Sequence, residues 1–406
     1  MHDLQNLREM EGELAPRFLP DSASLSVSGH MEVFEKLFHR ASTVTPLKEV
    51  VPGTAYALFE AFPASDAALP YVRITASSGE QTVSTTSDRL RVLTPGRVLL
   101  APKRVLDIVR LAPAATVDLT VVGSEAFIQS GRVQWAVSAP TEATFSNLIQ
   151  TADLSEVEMT EIPAQPFLKA LNAAGLSASK TSARPSLMQL LLKDGALTGC
   201  DGGRLHTAAV EGLDPTLETT IPLKVVAQLT QAAKEAETLL VGFNDDHLVF
   251  RIGDDSIVAQ KLILDFPDVR PLMLEPKLAN THRLVVDRDQ LEAAVRRVRV
   301  NADPDYAVVS LSIVKGPRSA DDWAMEVRSK DRTGNAAKET LECFWKGKSR
   351  TVTYNHQHLL DLLQICTTEM VILKLGDDSR SVKTPLLVED EEAGVTGILQ
   401  QVSLNW

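Results

Sequence analysis

Acidic side chains gather at three places and are the first candidates for chemistry. Asn244-Asp245-Asp246-His247 and Asp377-Asp378 place carboxylates side by side, and Glu389-Asp390-Glu391-Glu392 is a run of four. Paired carboxylates can hold a divalent cation that activates water, so a metal-dependent hydrolase is one reading. The first two groups, however, fall in turns between strand patterns. Asp and Asn are favoured there because their side chains bond to their own backbone two residues on. The four-residue run reads as an exposed acidic loop. His356 and His358 lie two apart at a helix start and face different ways. Cys200, Cys343 and Cys366 form no CxxC pair, which suggests neither a zinc site nor a disulfide framework. A reduced compartment, the cytoplasm, fits that cysteine usage. No GxSxG, P-loop or GxGxxG–acid constellation occurs, and no nucleophile–base pair can be placed. The expectation is a chain without catalysis, cofactor or metal.

Basic residues follow a different logic. Lys36, His39 and Arg40; Lys103, Arg104 and Arg110; Lys169; Lys224 and Lys234; and Arg288, Arg296, Arg297 and Arg299 are carried by helix-bearing segments, with Lys180 and Arg184 just beyond the third of these. On periodicity alone they are ordinary solvated helix faces. The net charge of −12 argues, as a sum, against nucleic acid. The distribution decides, though: a protein that encircles DNA needs cations only on its inner wall. No aromatic ladder for single-stranded bases is interleaved among them.

The elements that carry these residues recur three times. Phe34, Leu37, Phe38 and Ala41 lie at i, i+3, i+4 and i+7, as do Phe167, Ala170, Leu171 and Ala174, and Leu291, Ala294, Val295 and Val298. That spacing puts four apolar side chains on one helical face. Each copy also predicts a second helix: Pro102–Val109, Pro222–Leu229 and Asn355–Leu362, with proline at the start of two and Asn355 as a polar cap in the third. After each comes a strand, a turn and further strands. The turns are Val122-Gly123-Ser124-Glu125, Asn244–His247 and Gly376-Asp377-Asp378-Ser379, which predict antiparallel hairpins. The fold class is α+β, with helices on one face of antiparallel sheets. Residues 1–23, mostly polar with Pro16 and Pro20, read as an extension. Domains are expected over 24–155, 156–281 and 282–406. No apolar run of membrane-spanning length occurs, so no membrane is expected.

Several stretches resemble the bacterial DNA polymerase III beta subunit, the beta sliding clamp family, in a divergent or phage-type version. Ile128-Gln129-Ser130-Gly131-Arg132 followed by Phe145-Ser146-Asn147-Leu148 resembles the end of the family's first domain. Leu197-Thr198-Gly199-Cys200-Asp201-Gly202-Gly203-Arg204-Leu205 resembles its TDGHRL segment, and Lys261–Asp268 its GRFPDY segment. The resemblance covers residues 24–404. It implies three repeated DNA-clamp domains, a ring-forming head-to-tail homodimer, and no catalysis. The ring would hold double-stranded DNA without reading sequence and tether a replicative polymerase, a clamp loader and other replication proteins through short peptides. A scaffold that kept the fold but lost DNA is the remaining alternative.

By resemblance, the peptide pocket maps onto Leu187, Cys200, Gly202, Arg204, Leu205, Pro267, Leu272, Val402 and Leu404. The DNA-facing set is Lys36, Arg40, Lys103, Arg104, Lys180, Arg184, Arg296 and Arg297. Trp135 and Val300 match dimer-interface positions. The sequence departs from the family where Gly203 replaces His, Cys200 replaces Thr and Pro271 stands at a position that is often basic. Its last residues, Leu399-Gln400-Gln401-Val402-Ser403-Leu404-Asn405-Trp406, do not follow a Met-Pro-Met-Arg-Leu pattern. The expected ligand is a peptide with a Gln and a downstream pair of large apolar residues, because such a pocket gains by burying them.

Overall fold

The computed structural model describes residues 23–46, 53–66, 68–140, 157–181, 183–316, 322–377 and 384–402. The three repeated apolar quartets lie on helices Met31–Ser42, Ala164–Ser177 and Arg288–Val298, and all twelve side chains are buried. The second helices are Pro102–Arg110, Leu223–Ala232 and His356–Ile365. Asn355 caps the last of these as read: its side chain accepts from the Gln357 amide at 2.9 Å and the His358 amide at 3.1 Å. Asp287 does the same for the Gln290 amide at 2.8 Å, satisfying a donor that has no partner inside the helix. Pro222 ends a strand, Thr219–Pro222, and does not open the helix after it.

The chain separates into two compact units. One holds residues 1–162 and 227–261; the other holds 163–226 and 262–406. The first contains a five-stranded sheet in the order Arg91–Thr94, Leu25–His30, Thr116–Val122, Glu125–Ser130, Val133–Ser138. It also contains an eight-stranded sheet in the order Met159–Pro163, Thr238–Phe243, His247–Ile252, Asp255–Gln260, Gln81–Ser87, Tyr71–Ser77, Ala57–Phe62, Gly96–Leu100. Asp255–Gln260 pairs antiparallel with Gln81–Ser87, and the Thr85 hydroxyl donates to Asp255 Oδ1 at 2.7 Å across that seam. One sheet therefore contains strands from both the first and the second repeat.

The second unit is built the same way. Its nine-stranded sheet runs Thr219–Pro222, Gln189–Lys193, Ala196–Cys200, Arg204–Ala209, Val395–Leu399, Leu386–Asp390, Met370–Leu375, His282–Asp287, Phe344–Trp345. Its four-stranded sheet runs Ala336–Glu342, Trp323–Lys330, Val308–Lys315, Arg350–Asn355. The seam here pairs Arg204–Ala209 with Val395–Leu399, placing Leu205 opposite Ile398.

Two hairpins close as the turn residues predict. Gly123 takes φ +60°, which a side chain disfavours. Asn244 Oδ1 accepts from the Asp246 amide at 3.0 Å and the His247 amide at 2.7 Å, the backbone role that selects such residues in turns. At the third turn, Asp378 and Ser379 lie outside the described residues, and the next described strand is Leu386–Asp390. Gly376 passes close under the Asn280 side chain, whose amide holds the Lys374 and Pro385 carbonyls at 2.9 and 2.8 Å. Leu386–Asp390 pairs antiparallel with Met370–Leu375, Lys374 opposite Leu387, as the hairpin reading expects.

One helix, Arg270–Ala279, was not legible in the sequence. Pro271 and Pro276 argue against a helix there, yet Pro271 sits in the first turn, where its missing N–H costs nothing.

Candidate partner groove and basic helix faces

The loop Asp201-Gly202-Gly203 is built from its own side chains. Asp201 Oδ1 accepts from the Gly203 and Arg204 amides at 2.9 and 3.1 Å. Its Oδ2 takes Arg204 Nε at 2.9 Å. Arg204 also contacts Asp361 on the helix His356–Ile365, and Gln357 Nε2 donates to the other Asp361 oxygen at 2.7 Å. Arg204 is only 8% exposed, so its charge is held by two carboxylates rather than by water. His358 Nε2 stands 3.9 Å from Asp201. Burial, and then the Arg204 charge, lower the His358 pKa. His206, behind the loop, is pushed down to about 4, chiefly by burial, with its Nδ1 3.1 Å from the Ala173 carbonyl. Gly202 has φ +90°, and a Cβ there would fall 1.6 Å from Arg184 Nη1, so no larger residue fits without moving that guanidinium. The Cys200 thiol, raised by burial, accepts from the Gly202 amide at 3.3 Å.

Beside this loop lies an apolar cluster of Leu187, Cys200, Leu205, Val269, Leu387 and Ile398, with the partly buried Phe266 and Met273 packed against it. Three of the residues expected in the pocket, Leu187, Cys200 and Leu205, therefore come together. Arg204 lies under the loop in ion pairs, and Gly202 is exposed at its tip. Pro267 and Leu272 point outward, Leu272 being 51% exposed, and neither joins the cluster. The helix Arg270–Ala279 explains this: Val269 and Met273, four apart, share the inward face, and Leu272 is turned away from it. The signal missed in the sequence was that i, i+4 pair. Val402 is half-buried, with its amide on the Thr353 carbonyl at 2.9 Å; Leu404 lies outside the described residues.

The basic side chains divide into two kinds. Lys36 is exposed, 4.0 Å from Asp254, while Arg40 is largely buried with its Nε 3.1 Å from Asp255. Lys103 Nζ donates to the Thr45 carbonyl at 2.6 Å. Arg184 Nη1 donates to the Asp201 carbonyl at 3.1 Å, which puts it on the Asp201–Gly203 loop. Arg296 pairs with Glu292 one helical turn away at 2.6 Å, and Arg297 makes a bidentate pair with Glu339 at 2.6 and 2.8 Å. Arg104 and Lys180 are exposed, and neither makes an ion pair among the described residues. The six repeat helices carry ten Lys and Arg against six Asp and Glu, while the whole chain carries 41 against 53. The helices have the opposite sign of charge to the rest of the molecule.

Two sheet edges complete the picture. Val133–Ser138 is the outermost strand of its sheet and carries the half-buried Trp135; Ala336–Glu342 is outermost in the four-stranded sheet. Val300, 81% exposed, follows the Arg288–Val298 helix. Among the described residues no helix is long and apolar enough to cross a membrane, and no group of three or more His, Cys, Asp or Glu gathers as a metal site.

Antiparallel sheets shared between successive repeats, with two amphipathic helices per repeat, define the DNA-clamp class of fold. No family model matches the chain. It is similar to the beta sliding clamp of Pseudomonas putida, 22% identical over 303 residues, covering 71% of this chain and 77% of that one. It is also similar to the beta sliding clamp of Rickettsia felis, 21% identical over 350 residues, covering 79% and 88%. Among solved structures, the C. crescentus beta sliding clamp superposes with a TM-score of 0.81 at 18% identity, covering 94% of this chain and all of that one. The Thermotoga maritima DNA polymerase III beta subunit gives 0.79 at 18%, with the same coverage. The fold is that of the solved beta sliding clamps, and the chain is similar in sequence to members of that family at 21–22% identity.

Proposed function

We propose that this chain is a sliding clamp, a non-catalytic ring that encircles duplex DNA and tethers a polymerase and other replication proteins. The observation that carries the reading is the reversal of charge on the repeat helices of a chain with net charge −12. Cations on the inner wall would hold phosphates without reading bases, while the acidic remainder discourages binding from outside. Arg104 and Lys180 are best placed to meet phosphates directly. Lys36, Arg40, Lys103, Arg184, Arg296 and Arg297 contribute within their pairs, mainly to the local field.

The ring is a head-to-tail homodimer of three-domain chains, with domains 24–155, 156–281 and 282–406. Two open strand edges, Val133–Ser138 on one half and Ala336–Glu342 on the other, support this reading. An unpaired edge is a template for another chain, and a heterologous contact that closes makes a ring. Trp135, on the first edge strand, and Val300, just after the Arg288–Val298 helix, form the apolar part of that interface.

The cluster beside Asp201–Arg204 receives short peptides from the polymerase and the clamp loader. A Bartonella birtlesii clamp of the same fold was solved bound to griselimycin, at a TM-score of 0.80. The site of action is the cytoplasm, within a polymerase holoenzyme. Light scattering at micromolar concentration tests the reading: a mass of two chains is expected, and a single-chain mass would remove the ring. Nothing in the fold or the comparisons favours the metal-dependent hydrolase.

A further inference from the structure

Most cations of the repeat helices are already engaged within their own chain. At least six of the ten, Lys36, Arg40, Arg110, Arg288, Arg296 and Arg297, stand within 4.0 Å of a carboxylate. Three of these pairs join side chains of the repeat helices themselves. In one, Arg288 meets Asp289 but is also held by the Cys366 carbonyl at 2.6 Å. The other two lie open to water. Arg110 Nε donates to Glu35 Oε1 at 2.8 Å, from the helix Pro102–Arg110 to the helix Met31–Ser42. Arg296 donates through Nε and Nη2 to Glu292 Oε1 at 2.9 and 2.6 Å, one turn away on the helix Arg288–Val298. The two arginines are 48% and 51% exposed, and their carboxylates 37% and 27%.

Crowding of charge does not by itself produce such pairs. Asp107 is exposed on the helix Pro102–Arg110, three residues from both Arg104 and Arg110, a spacing at which helical side chains can meet. It makes no ion pair among the described residues, and Arg110 takes Glu35 instead. A carboxylate and a phosphate compete for the same planar fork of a guanidinium. An arginine seated on a carboxylate must leave it, wholly or in part, before it holds a phosphate. The exchange lies near balance, because an exposed pair is weak and screened by water and salt. Phosphate contacts made through such an exchange are short-lived, which suits a protein that must hold duplex without stopping on it.

We propose that Glu35 and Glu292 are positioning residues that compete with DNA phosphates for Arg110 and Arg296, and so set how strongly the repeat helices grip duplex. The proposal rests on the DNA reading given under the proposed function. Glu339 makes a similar pair with Arg297, but it lies on the open edge strand Ala336–Glu342, where a partner chain would also change its surroundings.

The test measures binding of the full chain to a short fluorescein-labelled duplex, by anisotropy, over a series of potassium chloride concentrations. Glu35→Gln and Glu292→Gln keep the size of the side chain and remove its charge. Each is expected to bind about two- to fivefold more tightly and to steepen the dependence of log affinity on log salt by about 0.9, the value of one phosphate contact. Asp107→Asn removes the same charge from an exposed helix position without releasing an arginine, and should leave the slope unchanged. In an Arg296→Gln background, Glu292→Gln should no longer steepen it. Slopes for Glu35→Gln and Glu292→Gln equal to that of Asp107→Asn overturn the proposal, because the carboxylates then act only through the general field. No binding by any of these proteins at low salt, with unfolding transitions unchanged, removes the DNA reading and this proposal together.

Discussion

Arg204 and Asp361, 157 positions apart in the chain, meet as an ion pair beneath the Asp201–Gly203 loop, with Asp201 holding the same guanidinium from the other side. The pair ties the strand Arg204–Ala209 to the helix His356–Ile365, so the Asp201–Gly203 loop is anchored to an element of the third repeat. Both side chains are nearly excluded from water. Removing one partner of a buried pair leaves the other charge without compensation, a loss of about 3–5 kcal/mol. Asp361→Ala is expected to lose that amount in urea denaturation. A change below about 1 kcal/mol, the scale of exposed pairs, would mean that water reaches the cluster.

The His206 pKa of about 4 gives the second prediction. The ring is neutral in the fold but titrates near 6.5 when unfolded. The unfolded chain therefore takes up the proton first as pH falls. Stability from this group is complete above pH 6.5, is lost between 6.5 and 4, and levels off below. The loss is on the order of 3 kcal/mol. His206→Asn should flatten that part of the stability profile. An unchanged slope between pH 6.5 and 4 would assign the titration elsewhere, with His358, also lowered, the first alternative.

Gly202 supplies the third. With φ +90° and Arg184 packed where a Cβ would go, Gly202→Ala must strain the backbone and displace the guanidinium. A cost of about 1–3 kcal/mol is expected from the backbone alone. Thermal unfolding of Gly202→Ala beside an Arg184→Ala, Gly202→Ala pair separates the two effects. Only the displacement part should be relieved in the pair.

Peptide binding needs a variant that spares the core. Leu205 is 2% exposed within the cluster, so an acid there would unfold the site rather than report on it. Met273 and Phe266 lie at the rim. Met273→Glu is expected to weaken peptide binding at least about tenfold, equivalent to ~1.4 kcal/mol, with the dimer intact. Unchanged affinity by calorimetry would place the groove elsewhere.

How much of this was legible in the sequence follows from range. The helix quartets repeat at local spacing, and Asn355 and Gly123 are local signals, so the elements could be read directly. The seam pairing Asp255–Gln260 with Gln81–Ser87 joins segments about 170 residues apart, and no local pattern encodes it. The helix Arg270–Ala279 was hidden because proline is read as a breaker wherever it stands, and its phase turns Val269 and Met273 into the apolar cluster and Leu272 away from it. The basic residues were legible as a set. Their ion pairs were not, because partners such as Glu339 for Arg297 lie on a different element.

Arg104 and Lys180 should therefore dominate the electrostatic hold on DNA. Replacing both with Glu is expected to reduce the salt dependence of binding by about two phosphate contacts, a slope change near 1.8, with little change in unfolding. Arg297→Glu should instead act mainly through repulsion of Glu339, visible as lost stability. A salt slope unaffected by the Arg104 and Lys180 changes would take these two residues off the DNA-facing wall.

The central claim is encirclement, and its most direct measurement is retention on DNA of different topology. Protein assembled on a nicked circular duplex is passed through gel filtration at high salt, before and after the circle is cut by a restriction nuclease. A ring remains with the circle and is released once the duplex has ends. Equal retention on cut and uncut DNA, or none on the circle from a protein that is dimeric by mass, would contradict the account.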